Sequence, residues 1–475
     1  MTEQLRDLRL GGAIALVMLL GFAAEALTNP VSPPPPTVAP EGRHIEQATF
    51  CPPPVEVEGV EAQAAVTTAS GAGVPIDFED APSERTASPP TPKASQVRPG
   101  AFLMHNLDGT ALNAIGYGDR PIAGALQSWS APVAGAGAAL CSESPSDSWF
   151  FPVGSSQLNV GERLLLYNPF PGEAVARVTF FTPTGDETTE GLDDVPVPSR
   201  GWTEVDVREF IETKKLISAR VDAVRGRLIA WRVLFNKVEG RAHGVGFTLG
   251  APEGSDTWLF PHGVLGDGAE QTLTLFNPTE QETSVTITVV SAGIDFVPVN
   301  ELTEIQLEPR TSQEISLSGV KLKRDADFAH SSVIVAAERG VEIIAERSLF
   351  VDEPTLQGFA TEIGTAKPGT RWLLPPLGRS VSSDSIALLN TGSIEARVEV
   401  RLFTLHGTKA PEALAGLVVG PGRRLEKALD DYSGDAPFFA VVTSDQPITV
   451  ERLGYSGAGN DLADVMGRHV AEPEN

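Results

Sequence analysis

Basic residues are scarce in this sequence relative to acidic ones. The 475 residues include 36 lysines and arginines against 62 aspartates and glutamates, which gives a formal net charge of −26 at pH 7. A surface of that sign repels phosphates and anionic lipids, so it argues against nucleic acid as a partner and against peripheral membrane binding. Hydrophobic residues still make up 41% of the chain, so the composition is that of a globular protein rather than a disordered one.

Recognisable catalytic motifs are also lacking. The seven histidines, at positions 44, 105, 243, 262, 330, 406 and 469, form neither an H-E-x-x-H motif nor a pair at helical spacing. No nucleophile elbow, P-loop or dinucleotide-binding glycine motif stands in a supporting context. We therefore predict no catalytic residue, no cofactor or cofactor-binding residue and no metal ligand, and a protein that is not an enzyme.

Only one apolar run is long enough to enter a membrane. It covers residues 10–24, follows two arginines, and is typical of a signal peptide or a short signal anchor. The A-x-A sequence at residues 24–26 could be cleaved, so residues 1–27 are predicted to be a signal anchor or a signal peptide. Either one places the body outside the cytoplasm, as a single-pass membrane protein or a secreted one. The proline-rich residues 28–45 are predicted to be an extended linker.

Cysteine occurs only twice, at Cys51 and Cys141, and both residues follow the export segment. An even number of cysteines in an exported chain favours a disulfide. No histidine lies at ligand spacing from either cysteine, which disfavours a metal site. Two free thiols are the alternative.

An internal repeat of about 110 residues is the strongest pattern present. Each copy opens on a tryptophan strand, continues to a strand that ends in asparagine, and closes on a strand that contains arginine. These landmarks are Trp149, Trp258 and Trp372; Asn168, Asn277 and Asn390; and Arg232, Arg347 and Arg452. They predict modules over 143–251, 252–366 and 367–475, preceded by a degenerate copy over 46–142.

Within a module, apolar and polar residues alternate with a period of two. About seven such runs separated by turn residues fit in one module, which is the size of an immunoglobulin-like β-sandwich. The fold class is therefore predicted to be all-β, with tandem sandwich modules arranged in a row. A propeller is disfavoured because its blades repeat every 40–50 residues, at about half the spacing found here.

The repeated residues are interpreted mainly as structural. Each tryptophan begins an apolar strand, so packing is favoured over stacking against a sugar ring. Each asparagine is expected to hydrogen-bond the backbone of its own turn. Each arginine is expected to make one recurring salt bridge or to cap a carbonyl at a sheet edge, with a repeated ligand site as the alternative.

With these landmarks in place, the chain resembles an actinobacterial family of exported, membrane-anchored proteins classed as domain of unknown function 5719. The likeness rests on the export segment, the "cysteine, then D-x-W-F" junction from Cys141 to Phe150, the strand ending in Asn-Pro and the closing A-E-R strand. It covers the chain from about Cys51 onward. The resemblance implies an actinobacterial cell envelope and supplies no catalytic residue.

The expected function is that of a non-catalytic extracytoplasmic scaffold or binding protein of the bacterial cell envelope. Its expected partners are the cytoplasmic membrane, through the N-terminal segment, and cell-wall polymer or another envelope protein. One alternative is a carbohydrate- or wall-polymer-binding protein that uses Trp202 and Trp231 as exposed aromatic residues. Another is an accessory subunit of an envelope enzyme or transporter.

Overall fold

Antiparallel β-strands account for almost all regular structure in the chain, for which we analysed a computed structural model. The structure describes residues 46–83, 91–130, 135–187, 189–266, 268–291, 297–298, 302–317, 329–353, 356–378, 381–433, 437–456 and 461–470. The predicted signal anchor and the proline-rich linker lie outside these residues. Within the described ranges, no helix is long and apolar enough to cross a membrane.

The strands fall into four groups along the chain. The first group is β1 (Glu46–Cys51), β2 (Val60–Thr68), β3 (Pro75–Pro82), β4 (Lys93–Gln96), β5 (Leu103–Asn106), β6 (Thr110–Tyr117), β7 (Pro121–Trp129) and β8 (Gly135–Leu140). The second is β9 (Ser148–Phe151), β10 (Val160–Asn168), β11 (Ala174–Thr182), β12 (Gly185–Glu187), β13 (Val195–Val197), β14 (Gly201–Asp206), β15 (Ser218–Arg225), β16 (Ile229–Asn236) and β17 (Gly244–Leu249).

The third and fourth groups repeat this order. The third is β18 (Thr257–Phe260), β19 (Val264–Leu265), β20 (Ala269–Asn277), β21 (Thr283–Ser291), β22 (Val297–Pro298), β23 (Ile305–Leu307), β24 (Thr311–Ser316), β25 (Ala329–Ala337), β26 (Ile344–Asp352) and β27 (Gln357–Ile363). The fourth is β28 (Gly369–Leu374), β29 (Val381–Asn390), β30 (Ala396–Thr404), β31 (Gly407–Lys409), β32 (Leu417–Val419), β33 (Arg423–Ala428), β34 (Phe439–Ser456), β35 (Asp461–Met466) and β36 (Arg468–His469). Short helical turns occupy Val207–Glu209, Glu412–Leu414 and Asp430–Ser433.

The first three groups each form a sandwich of two sheets, and in the fourth the long strand β34 takes part in both faces and joins them. In the second module one sheet has the strand order β14-β10-β16-β17, and we call it the axial sheet; the facing sheet has the order β12-β11-β15-β9. Alternate residues of each strand point between the two sheets, so Leu164 and Leu166 of β10 are buried together with Val178 and Phe180 of β11. The predicted all-β fold with tandem sandwich modules is confirmed.

A strand at the end of each module was missing from the predicted set. The seven runs expected in the third module all form strands, and β27 follows them as the edge of the axial sheet. Its counterparts in the other modules are β8, β17 and β35. Glycine weakens the β-propensity of β8 and β17, which each contain two glycines, and this is why the alternation pattern does not identify them.

These four edge strands arrange the modules in a closed ring. Strand β17 lies between β8 and β27, and β35 lies between β27 and β8, so the last module contacts the first. At that closing junction Ile122 packs in one apolar cluster with Leu373 and Phe439. The predicted row of modules is therefore wrong, because the apolar surface at the end of the row is buried against its beginning. Glu46–Asn475 is accordingly one compact unit.

Glycine at the axis allows neighbouring modules to approach closely. A Cβ atom on Gly244 would lie 2.6 Å from the backbone nitrogen of Phe359, in the next module. A Cβ atom on Gly137 would lie 2.8 Å from the Cβ atom of Phe247. The glycines that obscure these strands in the sequence are thus a steric requirement of the ring.

Candidate functional site

The three repeated tryptophans fasten each module at the point where the chain crosses between its two sheets. All three side chains are buried, and each indole Nε1 donates to a backbone carbonyl at the crossing. The acceptors are Leu228 for Trp149 at 2.8 Å, Ile343 for Trp258 at 2.9 Å, and Ile448 for Trp372 at 3.0 Å. This is the geometry of a packing residue, and it leaves no aromatic face for a sugar.

The aromatic residues considered for carbohydrate binding are buried as well. Trp202 is 3% exposed and Trp231 is 0% exposed. The expectation that they form an exposed stacking platform is wrong. Trp202 lies on β14 and Trp231 on β16, and both side chains belong to the largest apolar cluster.

The repeated asparagines hydrogen-bond the turns that follow their strands. The Asn168 amide donates to the carbonyl of Gly172 and its Oδ1 atom accepts from the nitrogen of Phe170. Asn277 and Asn390 make the equivalent bonds in their modules. Each also donates to a carbonyl about thirty residues ahead, at Val197 in the second module. The residue thereby joins two turns at one end of the sandwich.

The repeated arginines link successive modules. Arg232 donates both of its terminal nitrogens to Glu346, which lies on the equivalent strand β26 of the third module, one residue before Arg347. Arg347 likewise donates to Glu451 in the fourth module, at 2.8 Å, and also to Asp464. All of these side chains are essentially inaccessible to solvent. The sequence predicted one recurring salt bridge, but the partner carboxylate belongs to the next copy of the repeat.

The carboxylates of these pairs also accept backbone N–H groups. Glu346 accepts from the nitrogen of Val153 at 2.9 Å, and Glu451 accepts from the nitrogen of His262 at 2.7 Å. At the closing junction the corresponding residues are Pro376, which has no N–H group, and Gly124, which has no side chain. Arg452 therefore pairs with Asp384 of its own module, at 2.5 Å. Donor and acceptor are lost together, so no buried charge is left unpaired there.

An open cleft lies beside the junction between the third and fourth modules. It has a volume of about 420 Å³, and its polar lining includes His262, His330, Asp384, Glu426 and Tyr455. Such a concave site with converging polar groups is the usual form of a small-ligand site. It is the candidate site of this molecule.

Two histidines and a glutamate converge in that cleft. His330 on β25 places Nδ1 3.0 Å from an oxygen of Glu426 on β33, and Nε2 of His262 lies 3.6 Å from the other oxygen. One ligand atom from each of the three residues lies within 4.8 Å of the other two. Arg424 donates to Glu426 at 2.8 Å. Burial opposes ionisation of Glu426, but the histidines and Arg424 outweigh it and lower the pKa of the carboxyl, so Glu426 is anionic.

Comparison with protein families identifies a match over most of these elements. The model of a family of unknown function, DUF5719, matches residues 109–253 and 231–464. The chain belongs to this family. The matched residues include every tryptophan, asparagine and arginine landmark of the three regular modules, whereas Cys51 precedes them.

Comparisons with individual proteins add little to the family assignment. No curated protein matches the chain. A crystal structure of Thermotoga maritima 1070 is 18% identical, covers 24% of this chain and 94% of its own, and has a TM-score of 0.21. Escherichia coli alpha-2-macroglobulin activated by porcine elastase is 11% identical, covers 90% of this chain and 44% of its own, and has a TM-score of 0.10. Neither similarity supports an argument about fold or function.

In this DUF5719 member, a disulfide closes the first module. Cys51 at the end of β1 is bonded to Cys141, which directly follows β8, across 90 positions of sequence. The adjacent residues Phe50 and Ser142 form a backbone bridge, and the same bridge closes the second module between Phe150 and Ala251. The disulfide thus replaces part of the apolar closure in the one module that lacks the tryptophan.

Replacing both Cys51 and Cys141 by serine should lower the free energy of unfolding of the first module by about 2–4 kcal/mol, because the link constrains a long loop in the unfolded chain. Denaturation followed by tryptophan fluorescence measures the effect. Reducing the native chain should produce the same shift, and it should leave the double variant unchanged. Equal stability of the native and variant chains would contradict the assigned role.

A buried carboxyl in the second module has a raised pKa. Burial raises the pKa of Glu162 to about 8, even though Arg232 is close by and Ser155 donates its backbone N–H at 2.9 Å. The equivalent residue of the third module is Gln271, which accepts the same bond from the nitrogen of Val264 at 2.8 Å. Glutamine thus supplies in the third module the same acceptor without a titratable group.

The substitution Glu162→Gln should stabilise the protein at pH 7 by about 1–3 kcal/mol. Because the folded pKa is raised, Glu162 contributes its full stability below pH 4.5, and that contribution is lost as the pH rises toward 8. Denaturation midpoints measured from pH 4.5 to pH 8 should therefore fall less steeply for the variant. Identical pH dependence of the two chains would show that Glu162 ionises freely in the fold.

Proposed function

We propose that this chain is a non-catalytic scaffold or binding protein of the bacterial cell envelope, held at the cytoplasmic membrane by its N-terminal segment with the body outside. The observation that carries the proposal is the use of the repeated residues. Apart from the buried Nε atoms of Arg232 and Arg347, their side-chain hydrogen-bonding groups bond to turns, sheet crossings and module junctions. The repeated residues thus build the ring, and the surfaces that differ between modules are the ones available to bind a partner.

Export is supported by three features of the chain. The disulfide is typical of an oxidising compartment, the apolar run at residues 10–24 has the layout of an export signal, and the proline-rich residues 28–45 can serve as a spacer. The resemblance described above favours an actinobacterial envelope. A net charge of −26 keeps the body away from anionic lipid surfaces.

Protease digestion of intact protoplasts tests the proposal. We expect the body to be digested from outside, and Cys51 and Cys141 to react with maleimide only after reduction. A protected chain with reactive thiols would overturn the extracytoplasmic assignment. Crosslinking in cells followed by affinity capture identifies a protein partner. Retention of the chain on purified wall material would instead indicate that it binds cell-wall polymer.

A further inference from the structure

His262 is a buried side chain whose two ring nitrogens make no hydrogen bond within the described residues, although Nε2 lies 3.6 Å from a carboxylate oxygen of Glu426. The residue is 1% exposed. The great majority of buried polar atoms in proteins have a hydrogen-bond partner, and an exception commonly marks the place of a bound water or ion. This imidazole lies next to His330 and Glu426, with a distance of 5.9 Å between the two histidine ring centroids.

The fold itself does not require histidine at these positions. Strand register aligns His262, His330 and Glu426 with Val153, Leu216 and Glu314 at the preceding junction. There the glutamate pairs with Lys215 at 3.0 Å. The preceding junction keeps the arginine–glutamate pair between modules with aliphatic residues at both histidine positions, so the two histidines serve something other than packing.

We propose that His262, His330 and Glu426 bind one divalent transition-metal cation of the zinc type between the third and fourth modules. Imidazole nitrogen and carboxylate oxygen are ligands that such cations prefer, and two histidines with one glutamate are a recurrent zinc-binding set. Ligand atoms around tetrahedral zinc are about 3.3 Å apart, given bonds of about 2.0–2.1 Å. The present separations of up to 4.8 Å need only side-chain rotation to reach that value.

The surroundings hold these ligands in place. The backbone of His262 is fixed at both ends, since its N–H group donates to Glu451 and its carbonyl accepts from Arg347. Arg424 binds the Glu426 oxygen that faces His330, which leaves the oxygen facing His262 available. Three protein ligands leave a fourth position open toward the cleft, where water or a ligand anion binds.

Titration of the metal-free full-length chain with zinc chloride, against a chromophoric chelator, tests the site; the purification tag must contain no histidine. We expect one equivalent of zinc to bind to the native chain. The variants His262→Val and His330→Leu should each weaken zinc binding by more than about 100-fold, which exceeds the effect of removing a residue that only hydrogen-bonds a metal ligand. Both substitutions reproduce residues that the preceding junction uses, so the ring should still fold. His406→Gln, at an exposed turn, is the matched control and should bind zinc like the native chain.

Cobalt absorption provides a second measurement. Bound cobalt in the native chain should give the intense visible bands of tetrahedral coordination, and these bands should be absent in both histidine variants. Zinc should also raise the melting temperature of the native chain and leave that of the variants unchanged, because the ion bridges two modules. Equal zinc binding by native and variant chains, or no binding by the native chain, would overturn the proposal. The scaffold function proposed above is tested separately and does not depend on the result.

Discussion

Replacing Arg347 by methionine should lower the free energy of unfolding by about 3–5 kcal/mol, because it leaves Glu451 and Asp464 buried without their cation. The loss also removes the hydrogen bond that fixes the carbonyl of His262. Chemical denaturation followed by fluorescence measures the change directly, since all six tryptophans are buried and report on packing.

The pH dependence of this loss distinguishes a charge effect from a packing effect. Burial raises the pKa of Asp464, and the nearby Glu451 raises it further. Protonation at pH 5 should therefore remove much of the uncompensated charge, and the deficit of the Arg347→Met chain should be smaller than at pH 8. Arg401→Met is the control: its pair with Glu399 is 3.4 Å long and its side chain is 57% exposed, so the change should stay within about 0.5 kcal/mol. A deficit as small as that of the control would contradict the role of the ion pair.

The parts of the fold that depend on local patterns could be predicted from the sequence. The alternation at residues 284–290 became strand β21, and its burial alternates in the same way. The asparagine turns were predictable because the hydrogen bonds join neighbours in sequence. Cys51 and Cys141 could be placed at the two ends of one module because the repeat supplied the alignment.

Features that depend on contacts between modules could not be predicted. Alternation places Glu346 and Arg347 on opposite faces of β26, so the sequence shows that these two residues do not pair with each other. It does not show that Glu346 pairs with the second module and Arg347 with the fourth. The ring was missed because glycine obscures β8 and β17 in the sequence, and because the contacts of the axial strands with other modules join residues that are far apart in the chain. His262, His330 and Glu426 come from three separate elements of two modules, so their spacing in sequence has no metal-binding signature.

Replacing Gly244 by valine should destabilise the protein by more than about 4 kcal/mol, beyond the usual range for an overpacked core. The nearest atoms to a Cβ on Gly244 are the backbone nitrogen of Phe359 at 2.6 Å, and its Cβ and carbonyl oxygen at 2.9 Å. Backbone atoms of β27, which is hydrogen-bonded to β26, cannot move aside as a flexible side chain would. The second and third modules must therefore separate, and small-angle scattering should show a larger radius of gyration alongside the lowered denaturation midpoint.

Gly172→Val is the matched control for this change, because a Cβ on Gly172 has no atom within 4 Å. It should leave both the scattering curve and the midpoint nearly unchanged. If Gly244→Val behaved like this control, the axial strands could not be in contact and the modules would form the open row that the sequence suggests. If the ring opens as expected, the same variant should also break the ion pair between Arg232 and Glu346. That pair lies directly beside the axial strands, where Arg232 also donates to Thr361. The junctions thus act together: the glycines set how closely the modules approach, and only at that distance do Arg232 and Arg347 reach their partners.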